Sequence, residues 1–443
     1  MKRICFYSIL NSIVFSFFVL VGCTTQTTAQ QTSNKRPFPQ HTEYAKQTIK
    51  PSNHSQKELD KSVEIFYDKW KHAYVRNNCS DSKEYYVFDD EEMEPGDKFQ
   101  SICVSEGQGY GMIITVLMAG YDKDARTIFD GMYRFYKAHP SANNPYLMSW
   151  SILKNCETNK KDGNQTSASD GDFDIALSLL MASEQWGNDG MIDYHSESLK
   201  MLDAILKYEI NPKMNTILMS NDNHPEIYEK DMKYYESHPS DYDYNDFRSS
   251  DFMPVQLRIF NKYLPNKAWL MVLEKTYKIL GKLQDEFSPK AGLIPDFIVF
   301  RDKKYQPAPS NYLESTNDGS YYYNACRVPM RIALDKLLFG NSEADSILTP
   351  INEWIQQKTN NSIEKINCGY NLNGQKIGNG INTIPAFVCP LAVSAMINHE
   401  NQDWLNDIWD FTNSEFEFKD YQYYDNSLQM LSLITLSGNV WVP

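Results

Sequence analysis

The sequence has no concentration of positive charge. Its 43 Lys and Arg residues are outnumbered by 57 Asp and Glu residues, which gives a formal net charge of -14. No long basic run follows the N-terminal segment. Because nucleic-acid backbones and anionic membrane surfaces attract cationic proteins, this charge balance argues against both as partners. A neutral or cationic polymer remains compatible with it.

Closely spaced cysteines are also missing. After residue 23 no two cysteines stand in a Cys-x-x-Cys arrangement, which is the spacing that supports many metal sites. We therefore expect no metal and no other cofactor. If the protein is exported, some cysteines can form disulfides, although the sequence does not give the pairing, and for several we expect buried free thiols. The cysteines concerned are Cys79, Cys103, Cys156, Cys326, Cys368 and Cys389.

The N-terminal segment has the pattern of an export signal. Lys2 and Arg3 precede an apolar stretch over residues 9–21, which is too short and too weakly flanked to predict a membrane span. Leu-Val-Gly-Cys at residues 20–23 resembles a bacterial lipobox, which predicts that Cys23 is lipidated. We therefore expect a signal peptide over residues 1–23 and an outer-membrane, cell-surface or periplasmic lipoprotein. It would touch the membrane only through this anchor and act as a monomer.

Residues 24–56 are rich in Thr, Gln, Ser, Asn and Pro and lack hydrophobic periodicity, which predicts a flexible tether. Beyond them we expect one catalytic domain over residues 57–443, because no interior linker of low complexity follows. Helical periodicity recurs in this domain and strand candidates are few, so we predict an all-α fold. The expected helices cover residues 59–75, 110–120, 122–138, 172–186, 192–208, 252–263, 268–287, 323–339, 342–358, 384–398, 402–411 and 426–436.

Helices that are apolar on nearly every face alternate loosely with amphipathic ones. The stretch 112–119 is an example of the first kind and 122–138 of the second. A helix that is apolar all round is buried, whereas an amphipathic one faces solvent on one side. The alternation therefore predicts a toroid of inner and outer helices.

A carboxylate and three glycines stand together in residues 104–112. Alternating glycines are poor helix formers, each costing roughly 1 kcal/mol in a helix interior, so we expect another backbone or a ligand to approach closely here. Glu106 would then lie at the mouth of the buried helix that follows. Alternatively, Glu106 only complements the helix N-terminus, where negative charge is favourable.

A second acidic group begins the predicted helix over residues 172–186. Its three carboxylates are Asp170, Asp172 and Asp174, and Ser169 or Asp170 can cap the helix. Three acidic residues exceed what capping needs, so a functional role competes here with capping and solvated charge.

Three stretches of the chain stand out as motifs. They are Val-Ser-Glu-Gly-Gln-Gly-Tyr-Gly-Met at 104–112, Ala-Ser-Asp-Gly-Asp-Phe-Asp-Ile-Ala at 168–176 and Tyr-Asn-Ala-Cys-Arg-Val-Pro-Met-Arg-Ile-Ala at 323–333. Together they resemble glycoside hydrolase family eight, whose bacterial members cut β-1,4-linked polysaccharides with inversion. Shorter matches occur at residues 147–150, 248–254 and 425–428, and all six follow the family's order. The resemblance spans nearly the whole chain from residue 59 and implies an (α/α)6 barrel.

The resemblance makes Glu106 the general acid that protonates the glycosidic oxygen. This requires a carboxyl group that stays protonated near the working pH, and burial or a nearby negative charge can raise its pKa. Asp170 is the expected neighbour, and the family pattern implies that it also holds the sugar at the point of cleavage. Asp172 and Asp174 are expected to be structural.

The general base departs from the commonest family pattern. Many members carry Asp where this chain has Asn324, and an amide cannot usefully accept a proton. A subgroup with chitosanases and β-glucanases resembles this chain in having Asn there and takes its base from a Glu in the upstream loop. Glu314 is the matching carboxylate, and Asp318 is its rival in the same loop.

Asn324 is expected to contact the substrate, and so are four more residues that match family positions near the cleft: Tyr110, Trp150, Tyr323 and Arg327. The aromatic rings are suited to stacking on sugar rings, although Trp150 could equally be a core residue. The Asn324 and Glu314 pattern favours chitosan or β-glucan over xylan as the substrate. A xylan or oligoxylan hydrolase, a non-catalytic glycan-binding lipoprotein and a polysaccharide lyase using Tyr or His as its base remain alternatives.

Overall fold

The computed structural model describes residues 34–79, 81–89, 101–142, 144–160, 165–224, 244–420 and 422–443. Within them lie twelve α-helices, and each overlaps one of the helices predicted from the sequence. They are α1 Gln56–Tyr74, α2 Ser105–Leu117, α3 Ala125–Ala138, α4 Ser169–Trp186, α5 Tyr194–Tyr208, α6 Pro254–Tyr263, α7 Lys267–Phe287, α8 Val328–Phe339, α9 Glu343–Thr359, α10 Pro385–Ala395, α11 Gln402–Ser414 and α12 Tyr423–Leu436.

Short strands join the helices in the described part of the chain. They form antiparallel pairs, apart from one three-stranded sheet of order β11-β10-β9 in which Phe297 is opposite Arg248. Their length of two to five residues is too short for alternation to be visible in the sequence. They are β1 Val75–Arg76, β2 Tyr86–Val87, β3 Ser101–Val104, β4 Pro140–Ser141, β5 Asn144–Met148, β6 Ser151–Leu153, β7 Ile210–Asn211, β8 Thr216–Ile217, β9 Phe247–Arg248, β10 Phe297–Arg301 and β11 Lys304–Pro307.

The helices alternate between buried and amphipathic. Every residue of α10 is buried, whereas α3 and α7 each bury one stripe and expose the rest. Each even-numbered helix contacts the next even-numbered helix, and α12 contacts α2, so the contact order of these six helices is cyclic. Their N-terminal ends carry the residues singled out by the sequence, since Glu106 and Asp170 are the second residues of α2 and α4.

Close packing of α2 against α4 explains Gly109, one of the three glycines near Glu106, and Gly171 in α4. A Cβ atom on Gly109 would lie 2.8 Å from Cβ of Asp174, and one on Gly171 would lie 2.5 Å from Oγ of Ser105. Real Cβ atoms do not approach this closely, so glycine is needed for the two helices to meet. Of the two explanations that the sequence left open, the structure supports approach of another backbone.

Two helix starts differ from the prediction in ways that matter for the site. α4 begins at Ser169 with Ala168 as its N-cap, so Asp170 lies inside the first turn and does not cap the helix. α8 begins only at Val328 because Pro329 is suited to a first turn, and a 3-10 turn over Ala325–Arg327 precedes it. Residues 323 and 324 therefore lie outside the helix.

The predicted flexible tether is wrong from residue 34 onward. Residues 34–55 lie on the domain, and their backbone N–H groups donate hydrogen bonds to carbonyls near the C-terminal ends of the even-numbered helices. Phe38 donates to Ala119 at 2.7 Å and Ala45 donates to Leu337 at 2.8 Å. The polar composition of the segment gave no sign of these contacts, because backbone N–H groups make many of them whatever the side chain. Residues 24–33, the predicted signal peptide 1–23 and Cys23 lie outside the described residues.

One disulfide joins Cys79 to Cys156. Four buried cysteines are free thiols, as expected for several of them, and these are Cys103, Cys326, Cys368 and Cys389. No helix in the described ranges is both long enough and apolar enough to cross a membrane.

Candidate active site

A cleft of about 680 Å³ lies at the N-terminal ends of the even-numbered helices. It brings together seven of the eight residues that the sequence nominated for catalysis or substrate binding. The eighth, Tyr110, is not among the lining residues. Those that line the cleft are Glu106, Trp150, Asp170, Glu314, Tyr323, Asn324 and Arg327.

Glu106 projects into this cleft from the first turn of α2, and its side chain is 16 % exposed. Arg327 Nη1 donates a hydrogen bond to Oε2, and Tyr423 Oη donates to Oε1 at 3.3 Å. Burial raises the pKa of the Glu106 carboxyl above its ordinary value; the positive charge of Arg327 opposes this and the negative charge of Asp170 adds to it. The net direction is the one that a general acid needs.

Asp170 lies beside Glu106 and is 2 % exposed. Its Oδ2 is 3.1 Å from Arg327 Nη1, and its Oδ1 is 3.7 Å from Arg248 Nη2. Burial acts to raise the pKa of Asp170, but the positive charges of Arg248, Arg327 and Arg331 outweigh it and hold the pKa below its usual value. The pKa values of the two neighbouring carboxyls are thus shifted in opposite directions, so Asp170 ionises more readily than Glu106.

The other two acidic residues near the start of α4, Asp172 and Asp174, do not line the cleft. Asp172 accepts a hydrogen bond from the backbone N–H of Met148 at 2.9 Å. Asp174 accepts one from Gln256 Nε2 at 2.7 Å and pairs with Arg331 at 3.5 Å. Asp172 therefore joins α4 to β5, and Asp174 joins α4 to α6 and α8.

Glu314 and Asp318 share a loop but have different surroundings. Asp318 is 1 % exposed, and its carboxylate accepts hydrogen bonds from the backbone N–H groups of Leu313, Glu314 and Ser315 at 2.7–3.1 Å. Glu314 is exposed and lines the cleft, while Asp318 does not. Asp318 holds the backbone of the loop, and Glu314 lies on the wall of the cleft.

Asn324 lies between Glu314 and Arg327 and is hydrogen-bonded to both. Its Nδ2 donates a hydrogen bond to Glu314 Oε2 at 2.8 Å, and its Oδ1 accepts one from Arg327 Nη2 at 2.8 Å. Arg327 also contacts Glu106, so a continuous chain of hydrogen bonds connects the carboxylates of Glu106 and Glu314.

Tyr110 does not have the stacking position expected for it. Its ring is 1 % exposed, and its Oη accepts a hydrogen bond from Arg327 Nη1 at 3.3 Å. A ring buried inside α2 cannot reach a sugar, so Tyr110 supports Arg327 instead. Sequence reasoning missed this because a family position near a cleft does not indicate which way the ring points.

Trp150 and Tyr323 present aromatic surface to the cleft. Trp150 is half-buried, and its carbonyl accepts a hydrogen bond from the backbone N–H of Ser105, next to Glu106. Tyr323 is 37 % exposed, and the edges of Tyr322 and Phe387 pack against its ring. Both rings are placed where a pyranose could stack.

Several lining residues had not been nominated from the sequence. Arg248 and Asp425 belong to the shorter family echoes, so a signal for them was present. Asp89 and Tyr423 carry no motif, and only the folding of the chain brings them to the cleft. The additional polar or aromatic lining residues are Asp89, Ser105, Arg248, Gln422, Tyr423, Tyr424 and Asp425. Across the part of the chain that the structure describes, no group of three or more His, Cys, Asp and Glu residues could hold a metal ion.

The model of the family named Glycosyl hydrolases family 8 matches residues 60–437. The chain belongs to glycosyl hydrolase family 8. Membership of the family makes it a glycoside hydrolase, and the matched region contains every residue of the cleft described above. A β-glucanase of Niallia circulans is 40% identical over 411 residues, covering 92% of this chain and 91% of the relative. An endoglucanase of Bacillus sp. (strain KSM-330) is 36% identical, covering 92% of this chain and 82% of the relative.

Solved structures agree with this family assignment. The structure of a β-1,3-1,4-glucanase from Paenibacillus sp. X4 has a TM-score of 0.81 and 38% identity, covering 93% of this family 8 chain and 100% of its own. Rex8A from Paenibacillus barcinonensis, solved with xylose, has a TM-score of 0.68 at 18% identity, covering 88% of this chain and 95% of its own. At that identity the second likeness concerns the fold alone.

Proposed function

We propose that the protein is an inverting endo-hydrolase of β-1,4-linked glucan, with Glu106 as general acid and Glu314 as general base. The observation that carries the proposal is the presence of both carboxylates on the walls of one cleft. Inverting glycosidases place these groups roughly 6.5–9.5 Å apart, which leaves room for a water molecule on the far face of the sugar.

Glu106 supplies the proton in this mechanism. Burial keeps its carboxyl neutral to higher pH than an exposed Glu, so it can protonate the glycosidic oxygen as the bond to C1 breaks. Ionised Asp170, held by Arg248 and Arg327, then accepts hydrogen bonds from hydroxyl groups of the sugar at the point of cleavage.

Glu314 activates the water. Its carboxylate takes one proton from the water as the oxygen bonds to C1 on the face opposite the departing group, so the anomeric configuration inverts. Trp150 and Tyr323 stack on neighbouring sugar rings, and their exposure in the cleft supports this assignment. Asn324 and Arg327 complete the polar wall of the cleft.

We propose that the twelve helices form an (α/α)6 barrel. The cyclic contact order of the even-numbered helices supports it, as does the packing of odd-numbered helices such as α1 against α12. The site would then lie at one end of the barrel, where six inner helices begin.

For the substrate we propose a β-glucan with β-1,4 links, including mixed-linkage β-1,3-1,4-glucan. The support is the identity of 36–40% to relatives named β-glucanase and endoglucanase. The exo-oligoxylanase of Halalkalibacterium halodurans is only 22% identical, so xylan is less well supported.

Chitosan is a second candidate, which the charges of the cleft favour. Carboxylates outnumber guanidinium groups in the lining, and the guanidinium groups of Arg248 and Arg327 already pair with carboxylates. A surplus of negative charge suits the amino groups of glucosamine units. The carboxylates of the lining are Asp89, Glu106, Asp170, Glu314 and Asp425.

The test is incubation of the pure protein with mixed-linkage β-glucan, carboxymethylcellulose, chitosan and xylan. New reducing ends with a rapid fall in viscosity would support endo-hydrolysis, and NMR of the first products would report the anomeric configuration. Absorbance from an unsaturated product would indicate a lyase, and binding without cleavage would indicate a glycan receptor. Retention of configuration would overturn the assignment of Glu314 as a general base that activates water.

We also propose that the protein is exported and anchored through lipidated Cys23, with the catalytic domain acting as a monomer outside the cytoplasm. The lipobox resemblance at residues 20–23 is the support. Metabolic labelling with a fatty-acid analogue, lost on Cys23→Ser, tests the anchor, and sedimentation of the domain tests its oligomeric state.

A further inference from the structure

Asn324 occupies an unusual place in the hydrogen-bond chain of the site. It is 4 % exposed, and both ends of its side-chain amide are in use. Its Oδ1 lies 2.8 Å from Arg327 Nη2, and its Nδ2 lies 2.8 Å from Glu314 Oε2. One N–H and one oxygen lone pair remain, but so buried a side chain offers little of them to a sugar, so direct substrate binding does not explain the residue well.

The chemistry of the two partners explains why an amide stands at this position. An arginine can only donate hydrogen bonds, and an ionised carboxylate can only accept them. A residue that connects the two must accept on one side and donate on the other, which a side-chain amide does. A carboxylate at 324 would accept from Arg327 but repel Glu314, and an apolar residue would contact neither partner through a hydrogen bond.

The backbone on either side of Asn324 is held by the carboxylate of Asp296. Oδ1 of Asp296, which is 2 % exposed, accepts hydrogen bonds from the backbone N–H groups of Tyr322 at 2.8 Å and Ala325 at 2.7 Å. The backbone on both sides of Asn324 is therefore held. Arg327 in turn contacts Asp170 and Glu106, so the acceptor side of Asn324 is attached to the acid half of the site.

Glu314 has no comparable support along its own loop. Asp318 holds the backbone of residues 313–315 but does not hold the exposed carboxylate of Glu314. The side chain of Glu has several rotatable bonds, and fixing them from an exposed loop requires a partner outside it. Asn324 is that partner, through its hydrogen bond to Glu314 Oε2.

We infer that Asn324 is a positioning residue that sets the carboxylate of Glu314 relative to Glu106. This inference rests on the proposed role of Glu314 as general base. Arg327 and the 322–325 backbone are held in place, so the amide of Asn324 can hold the carboxylate of Glu314, which projects from a loop, in a fixed position. Because a displacement of about 1 Å at a reacting group can cost on the order of 100-fold in rate, the bond acts mainly on kcat.

The experiment compares kcat and KM on the best glucan substrate for wild type, Asn324→Ala and Asn324→Ser, in the native background and in Glu314→Ala. Both Asn324 variants are too short to reach Glu314. We expect kcat to fall by about 10–100-fold with KM changed by no more than about twofold. In the Glu314→Ala background we expect no further loss, because no carboxylate is left to position.

The matched control is Ser310→Ala. It removes a hydrogen bond within the same loop, from Ser310 Oγ to the carbonyl of Thr316 at 3.0 Å, without touching Glu314 or Asn324. We expect near wild-type kcat from it. Circular dichroism of every variant checks folding, and if Asn324→Ala folds poorly, Asn324→Ser carries the comparison.

Each kinetic result supports or overturns either the role of Asn324 or the role of Glu314. Wild-type kcat in both Asn324 variants would overturn the inference, as would an equal loss of kcat with and without Glu314, which is the pattern of a general structural defect. A kcat loss equal to that of Ser310→Ala would also overturn it. Normal turnover by Glu314→Ala alone would instead refute the proposed base, so failure of the two proposals can be told apart.

Discussion

The backbone N–H of Glu314 donates a hydrogen bond to the carboxylate of Asp318 at 3.1 Å. The two rivals for the general base are therefore not equivalent, since one holds the loop from which the other projects. Asp318 accepts two further backbone N–H groups and is buried, so it has little freedom to approach a water molecule in the cleft.

Exchange of the two loop carboxylates for amides should separate these roles. Glu314→Gln should lower kcat by about 10²–10⁴-fold without a change in melting temperature, because only the base is lost. Asp318→Asn should instead lower the free energy of unfolding by about 1–3 kcal/mol, since backbone donors lose their acceptor. Steady-state kinetics and thermal melts measure both. Near wild-type turnover in Glu314→Gln together with an inactive, fully stable Asp318→Asn would reverse the assignment.

Removal of the acid should depend on the leaving group. Glu106→Gln should lower kcat on glucan by about 10²–10⁴-fold, because the departing sugar oxygen then leaves without a proton. With an aryl glycoside whose phenolate leaves readily, the loss should be much smaller. Parallel assays on the two substrates test this. Equal losses on both would show that Glu106 acts in another way than by protonating the leaving group.

Stability should depend on pH through two facing acidic residues behind the site. Burial raises the pKa of Glu209 to about 7 and raises the pKa of Asp172 well above its usual value, to which the charge of Glu209 contributes. Because these pKa values are higher in the folded than in the unfolded protein, their stabilisation is complete below about pH 4 and is lost as the pH rises toward 7.

We therefore expect the free energy of unfolding to fall with rising pH in this window, by up to about 1.4 kcal/mol per pH unit for each proton involved. Glu209→Gln removes one titrating group while keeping a side chain of similar shape beside Ser167. Melting temperatures at pH 5 and pH 8 should differ less in this variant than in wild type. An unchanged difference would contradict the prediction.

The disulfide between Cys79 and Cys156 should contribute to stability and not to catalysis. Its sequence separation is 77, and closing a loop of this size in the unfolded chain corresponds to about 4 kcal/mol in the chain-entropy description. The double variant Cys79→Ser/Cys156→Ser should unfold at lower denaturant concentration with unchanged kcat. Neither cysteine lines the cleft, so a large loss of kcat at temperatures where the variant is folded would be inconsistent with a purely stabilising bond.

The N-terminal segment offers a direct test of whether it belongs to the domain. Phe38 is 6 % exposed and packs in the core, so Phe38→Ala should lower the free energy of unfolding by about 3–5 kcal/mol. Lys46→Ala, at an exposed position of the same segment, should have little effect. Denaturant titrations of both variants make the comparison. Equal stability of the two would mean that residues 34–55 behave as a tether after all.

Features that depend on neighbouring residues in the chain could be predicted from the sequence. All twelve predicted helices are present, because a 3.6-residue apolar period is a local property. Family 8 membership could be expected for a similar reason, since the motifs around Glu106, Asp170 and Asn324 are short and contiguous. Helix boundaries were harder to predict, as the start of α8 at Val328 in place of residue 323 illustrates.

The features that only the tertiary structure decided involve residues that are distant in the sequence. The sequence by itself could not pair Cys79 with Cys156, bring residues 34–55 onto the domain, or show that Tyr110 is buried beneath Arg327. The different surroundings of Glu314 and Asp318 are also a tertiary feature, because two carboxylates four residues apart have the same chemistry until burial and backbone donors distinguish them. Local periodicity determines which segments are helical, but exposure and partners depend on how those segments pack.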